Sequence, residues 1–175
     1  MFLTIPEEEI ITLLELAESV VLAGREKNRT VSLAESCTGG LIAAALTSIS
    51  GSSKVFLGGA VVYGNEMKVK LLGVSGATLD SFGAVSAETA AEMAAGIRKL
   101  TDADVSISVT GIAGPTGGES GGNAGEKPVG LVYLGVAAKG KNPPFVVKRN
   151  FGGNRERVRF ETVKAALLLL LQEIK

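Results

Sequence analysis

The sequence predicts an α/β fold: a single α/β/α layered domain, residues 1–175, with a mixed, mainly parallel sheet. Three observations carry this. Apolar, β-branched runs alternate with amphipathic helical stretches along most of the chain, the pattern of layered α/β domains. Two of the apolar runs end in a hydroxyl residue and glycine, where the chain turns. The last two runs, "VGLVYLGVAA" and "FVVKRNF", are separated only by "KGKNPP", which predicts an antiparallel hairpin and hence a mixed sheet. A chain of 175 residues suits one domain and can bury a substantial core.

Residues 6–28 read as the first helix. Pro6 suits a first helical position, and Glu7, Glu8 and Glu9 favour the positive end of the helix dipole. Ile10, Leu13, Leu14, Ala17, Val20 and Val21 fall on one stripe. "TVSLAES" is a short strand ending near Ser36, and "TGGLIAAALTSI" is a helix that follows at once. "SGSS" is a turn, "VFLGGAVVYG" a buried strand, and "NEMKVKLLG" a short helix stopped by Gly73. "AVSAETAAEMAAGIRKL" is a longer helix with Ser86 as its N-cap, and "DVSISVTGIAG" alternates as a strand does. "PTGGESGGNAGEKP" is a glycine-rich loop. After the hairpin, "GNRERVRFETVKAALLLLLQEI" closes the chain as a helix capped by Asn154.

Composition excludes several classes. Lysine plus arginine equals aspartate plus glutamate, 18 each, so no general attraction to nucleic acid or anionic membrane is expected. The longest apolar run, "AALLLLL", falls far short of the roughly 20 residues of a membrane span. It reads as a fully buried helix or as part of an interface in a homo-oligomer. The acidic start, "MFLTIPEEEII", lacks the basic region of a secretory signal. A single cysteine precludes an intrachain disulfide, in keeping with a reducing compartment. The expectation is a soluble cytoplasmic protein. The chain has no histidine, so Ser-His-Asp and Cys-His mechanisms and the usual zinc sites are excluded within it. No metal or cofactor is expected, and acid–base chemistry falls to lysine, carboxylate, tyrosine or water.

The stretch "LAESCTGGLIAAAL" raises the question of a nucleophile. Ser36 is either a plain helix N-cap or a nucleophile held at a helix N-terminus, where free N–H groups stabilise an anion. Gly39 and Gly40 leave room for a substrate against the backbone. Cys37 either packs as a small hydrophobe or attacks with the help of a nearby cation. If serine attacks without histidine, the base is a lysine kept neutral by burial. Glu66 and Lys70 are spaced as an exposed i, i+4 pair, whereas Lys68 shares a helix face with Leu71 and Leu72. Lys68 therefore either snorkels to solvent or occupies a site. Tyr63 ends the preceding strand within reach of the same region. Thr110 and Gly111, in "VTGIAGP", end another strand, where ligands bind in open α/β sheets. Arg155 and Arg159 are i, i+4 neighbours at a helix N-terminus, against the dipole preference, which a bound anion or an ion-pair face would offset.

The blocks "AESCTGG", "VVYGNEMKVKLLGV", "GAVSAETAAEMAAG", "SVTGIAGPTGG", "KPVGLVYLGVA" and "GNRERVRFETVKAAL" together resemble the CinA C-terminal domain family, over nearly the whole chain. The resemblance implies an α/β/α fold and hydrolysis of the carboxamide of nicotinamide mononucleotide to nicotinate mononucleotide and ammonia. It further implies a serine–lysine pair, which falls on Ser36 and Lys68. Tyr63 and Asn65 lie in the lysine block, Thr110 and Gly111 in the "TGIAGP" block, and Arg155 and Arg159 in the last. The family's last block often reads Gly-Asp-Arg where this chain has Gly-Asn-Arg, and Asn154 can still cap a helix. Many relatives carry a further N-terminal domain resembling molybdopterin-binding proteins, which is not expected in this chain.

The resulting expectation is specific. Lys68 takes the proton of Ser36, and Ser36 attacks the carboxamide. Backbone N–H groups of Cys37, Thr38, Gly39 and Gly40 hold the oxyanion. Tyr63 orients Lys68 or relays the proton, and an arginine or a backbone nest meets the phosphate. The partner is a small-molecule nucleotide, with no nucleic acid and no membrane. The alternatives are a non-catalytic module binding a phosphorylated metabolite, and an amidase for another carboxamide.

Overall fold

A computed structural model describes residues 4–119 and 126–175. Helix α1 (Glu7–Lys27) follows Pro6, which takes the N-cap place, and it ends at Asn28 in the left-handed conformation. Strand β1 (Val31–Glu35) leads to α2 (Leu41–Thr47), a 3-10 turn (Ser52–Lys54) and β2 (Phe56–Val61). Three helices come next: α3 (Asn65–Leu72), α4 (Gly76–Phe82) and α5 (Ala87–Thr101). Strand β3 (Val105–Gly111) precedes the short strands β4 (Gly118–Glu119) and β5 (Glu126–Lys127). Strands β6 (Leu131–Ala138) and β7 (Lys141–Asn150) and helix α6 (Arg155–Ile174) complete the chain.

The main sheet has five strands in the order β2-β1-β3-β6-β7. Strand β1 is parallel to both β2 and β3, whereas β6 runs antiparallel to β3 and β7 antiparallel to β6. The sheet is thus mixed, with every main strand but β6 pointing the same way. Helices α1, α2 and α6 cover one face, where Val20, Leu46, Phe160 and Leu167 pack on Leu33, Ile107 and Leu134. Helices α3, α4 and α5 cover the other, where Leu72, Leu79, Met93 and Ile97 pack near Ala34 and Val62.

Small sheet residues bring α5 close on that second face. Ser106 and Ser108 donate to the carbonyls of Ala94 and Ala90 at 2.7 and 2.6 Å. A Cβ on Gly135 would lie 2.2 Å from the Ala90 carbonyl oxygen, so only glycine allows this approach. The run "AALLLLL" is largely inside: Ala166, Leu167 and Leu170 are buried, and Leu168 faces outward. Among the described residues no helix is long and apolar enough to cross a membrane.

Several local expectations change. Helix α2 begins at Leu41 rather than at Thr38, and its N-cap is Gly40 (φ 94°), with no hydrogen bond from a cap side chain. Ser36 is therefore not the cap. Residues 141–144 are not a link but the start of β7, so the hairpin turn is only Lys139–Gly140. Strand β7 is an edge, where proline is tolerated because no inner ladder needs its missing N–H. Helix α4 falls in a stretch without local helix signals. Part of the glycine-rich loop forms the β4–β5 ladder, Gly118 opposite Lys127, and its residues 120–125 lie outside the described residues.

Candidate active site

The parallel strands β1, β2 and β3 all end on one rim of the sheet, and β6 begins there, since Gly111 pairs with Val132. Ser36 follows β1, Tyr63 follows β2, and Thr110 and Gly111 close β3. Arg155 opens α6 on the same rim. Ser36, Cys37, Tyr63, Lys68, Thr110, Gly111 and Arg155 line one cleft of about 300 Å³, together with Ala84, Val85 and the segment Ile112–Gly114. That volume lies at the lower end for small-molecule sites, about 300–1,000 Å³. Thr116, Gly117 and Gly118 complete the wall, and none of these lining residues is a carboxylate.

Helical phase delivers Lys68 into this cleft. On α3 the Lys70 and Glu66 charges pair at 3.7 Å in solvent, while Lys68 is 1% exposed. Its Nζ is 3.4 Å from Ser36 Oγ and donates to the carbonyls of Val62 at 3.0 Å and Tyr63 at 3.1 Å. Burial holds the ammonium below its ordinary value of 10.5, because no carboxylate repays the lost hydration. Ser36 is itself 8% exposed, so its hydroxyl meets little water. Cys37 is buried beside it, and burial pushes the thiol up to about 12. A thiol so far from ionisation makes a poor nucleophile at neutral pH.

The turn after Ser36 departs from expectation. The Gly40 N–H donates to Glu35 Oε2 at 2.9 Å, and the Gly39 N–H to the Ser36 carbonyl at 3.1 Å. Both groups are therefore committed within the protein and are not free to hold an oxyanion. Among the described residues the N–H groups of Cys37 and Thr38 have no oxygen acceptor in this turn, and of the two only Cys37 lines the cleft. Thr110 likewise spends its hydroxyl on the Ala84 carbonyl, 2.7 Å away.

The two arginines separate. Arg155 donates to the Gly114 carbonyl at 2.7 Å and to the Tyr63 phenol at 3.2 Å, on the cleft wall. Arg159 lies outside the cleft lining and donates to the Thr38 carbonyl at 2.8 Å. Tyr63 meets Lys68 through its carbonyl, whereas its phenol meets Arg155. Thr38, Gly39, Gly40 and Asn65 support the turn and the start of α3 without lining the cleft. Glu35 was not expected. Its only sequence signal is an acid shortly ahead of a helix start, a place the helix dipole favours.

This fold and this cleft define an α/β/α domain with a buried serine–lysine pair at the strand ends. The chain belongs to the CinA C-terminal domain family, whose model matches residues 13–174. It is 54% identical over 156 residues to a CinA-like protein of Endomicrobium trichonymphae, covering 87% of this chain and 35% of that protein. A CinA-like protein of Kosmotoga olearia is 51% identical over 152 residues, with 87% and 35% covered. The chain thus spans about a third of the length of these curated relatives. Among solved structures, the competence/damage inducible protein CihA from Agrobacterium tumefaciens is 43% identical with a TM-score of 0.86, covering 93% of this chain and 96% of that one. A CinA superfamily protein from Escherichia coli is 34% identical with a TM-score of 0.84, with 98% and 95% covered.

Proposed function

We propose that this domain is a serine–lysine amidohydrolase that releases ammonia from the carboxamide of nicotinamide mononucleotide. One observation carries the reading. Two of the three contacts of Lys68 Nζ are carbonyl oxygens, which only accept. A neutral amine there gives both N–H bonds to Val62 and Tyr63. Its lone pair is then left for its third neighbour, the Ser36 hydroxyl, at 3.4 Å. That distance is long for an O–H···N bond, and catalytic contacts often tighten only when substrate binds.

In the first step the Ser36 Oγ–H bond breaks, its proton passes to Lys68, and Oγ bonds the carboxamide carbon. The Cys37 N–H, on the cleft wall, meets the oxyanion. The C–N bond then breaks as the Lys68 proton goes to the departing nitrogen, which leaves as ammonia. Water, deprotonated by Lys68, hydrolyses the resulting ester to nicotinate mononucleotide and free Ser36. The pyridinium draws electrons from the carbonyl and eases the attack. Arg155 and the absence of carboxylates among the described lining residues suit a phosphate-bearing substrate.

The experiment is ammonia release from nicotinamide mononucleotide, its riboside and nicotinamide. The mononucleotide is turned over fastest, and Ser36→Ala and Lys68→Ala each lose about 10³-fold or more in kcat, the scale of a catalytic unit. Undiminished turnover by Ser36→Ala would overturn the mechanism.

A further inference from the structure

The turn that carries Ser36 is gripped from two sides by groups of opposite charge. Glu35 is 2% exposed, and its carboxylate turns forward into the start of α2. Oε2 accepts from the N–H groups of Gly40 at 2.9 Å and Ile42 at 3.2 Å, and Oε1 accepts from Ala43 at 2.8 Å. The carboxylate thus consumes the N–H groups with which a helix start would otherwise bind an anion. The Glu35 backbone is fixed as well, because its carbonyl accepts from the Val62 N–H at 2.8 Å. From the other side, Arg159 reaches from α6 and donates to the Thr38 carbonyl at 2.8 Å. Among the described residues its Nε is buried without a partner, a cost borne to keep the guanidinium in this place.

We propose that Glu35 and Arg159 are positioning residues: together they hold the Ser36–Gly40 turn so that Ser36 Oγ faces Lys68 and the Cys37 N–H faces the reacting carbonyl. Glu35 fixes the far end of the turn to its near end through the first turn of α2. Arg159 fixes the middle, at the residue that follows Cys37. The guanidinium also offsets the carboxylate, whose charge would otherwise oppose an oxyanion a few residues away. The inference rests on the amidohydrolase reading for its catalytic part. Its structural part is readable without it, because Cys37 sits in the same turn and is the chain's one cysteine.

The test uses Glu35→Gln, Arg159→Met and, for contrast, Arg155→Met, with two readouts. With nicotinamide mononucleotide, Glu35→Gln and Arg159→Met should lower kcat about tenfold to a hundredfold with KM little changed, as misplaced catalytic groups do. Arg155→Met should show the reverse split. In the native proteins, alkylation of Cys37 by iodoacetamide should speed up about tenfold or more in the first two variants, because burial and the undissociated thiol protect it only while the turn is closed. A raised KM with unchanged kcat in Arg159→Met would make Arg159 a substrate contact and overturn the proposal for it. Unchanged kcat in both variants, or unchanged alkylation in both, would overturn it altogether. If Glu35→Gln fails to fold, Arg159→Met decides. If the wild type leaves nicotinamide mononucleotide intact, the substrate reading fails, and the alkylation rates still decide whether these two residues hold the turn.

Discussion

Lys68 Nζ stands 3.4 Å from Ser36 Oγ with no carboxylate among its hydrogen-bond partners, which are otherwise the carbonyls of Val62 and Tyr63. A carboxylate would stabilise the ammonium and spoil it as a base. Burial among carbonyls and apolar groups lowers its proton affinity instead. In the proposed mechanism the base is neutral Lys68, so kcat/KM should rise with pH along a single acid limb. The midpoint of that limb should lie below 10.5, the ordinary lysine value. A flat profile, or a midpoint at or above that value, would remove Lys68 from the role.

The same burial has a stability consequence. The folded-state value of Lys68 is below the unfolded one. Between the two, the unfolded chain holds a proton that the folded chain lacks. Stability therefore falls as pH drops through that window and stays reduced below it. Lys68→Met keeps the length and removes the charge. The variant should be inactive yet melt higher than wild type near pH 7, by about 2–4 °C for each kcal/mol recovered. The advantage should shrink as pH rises past the ordinary lysine value. Equal melting temperatures at pH 7 and 10.5 would contradict this.

On the proposed mechanism, Tyr63 and Arg155 should separate binding from proton transfer. Tyr63→Phe removes the phenol that Arg155 touches but keeps the carbonyl that Lys68 touches. The expected effect is a KM raised about threefold to tenfold, the worth of one partly exposed charged hydrogen bond, with kcat nearly intact. A kcat loss of about a hundredfold would instead assign the phenol to proton relay.

Packing on the far side of α3 also reaches the site. A Cβ on Gly96 of α5 would lie 2.0 Å from the Leu72 carbonyl oxygen at the end of α3. Gly96→Ala must push the helices apart, at a cost of about 1–3 kcal/mol for overpacking. Because α3 carries Lys68, thermal melting and kcat should both decline. A drop in melting temperature alone would show that α3 shifts without moving Lys68.

Legibility from the sequence followed the range of the interaction that makes each feature. Helices α5 and α6 have their own caps, with Ser86 accepting from Thr89 and Asn154 from Arg157, and both were readable. Helices α2 and α4 are capped from elsewhere. Glu35, at the end of β1, serves α2, while Glu92 of α5 takes the Ser75 N–H at 2.7 Å and the Thr78 hydroxyl at 2.6 Å beside α4. The sequence pattern starts α2 too early and gives no sign of α4, because neither has a cap side chain of its own. The arginines of α6 were likewise indistinguishable by spacing. Only the direction of α6 across the rim sends Arg155 to the cleft wall and Arg159 to the Thr38 carbonyl.

What the sequence determined by itself was the list of possible actors. Without histidine, the base for a serine had to be lysine, carboxylate, tyrosine or water, and helical spacing on α3 set Lys68 apart from the exposed Lys70 while leaving open whether it reached solvent or filled a site. Strand and helix order was enough for the layered fold. The tertiary structure alone decided which of those actors meet. The parallel pairing of β1 with β2 and β3 brings Ser36, Tyr63 and Thr110 to one rim, and the seating of Lys68 against Ser36, Val62 and Tyr63 there leaves it buried. It also decided that a buried carboxylate, not an incoming anion, takes the first N–H groups of α2. Those outcomes depend on distances between segments far apart in the chain. Residue type and periodicity constrain only neighbours a few positions away.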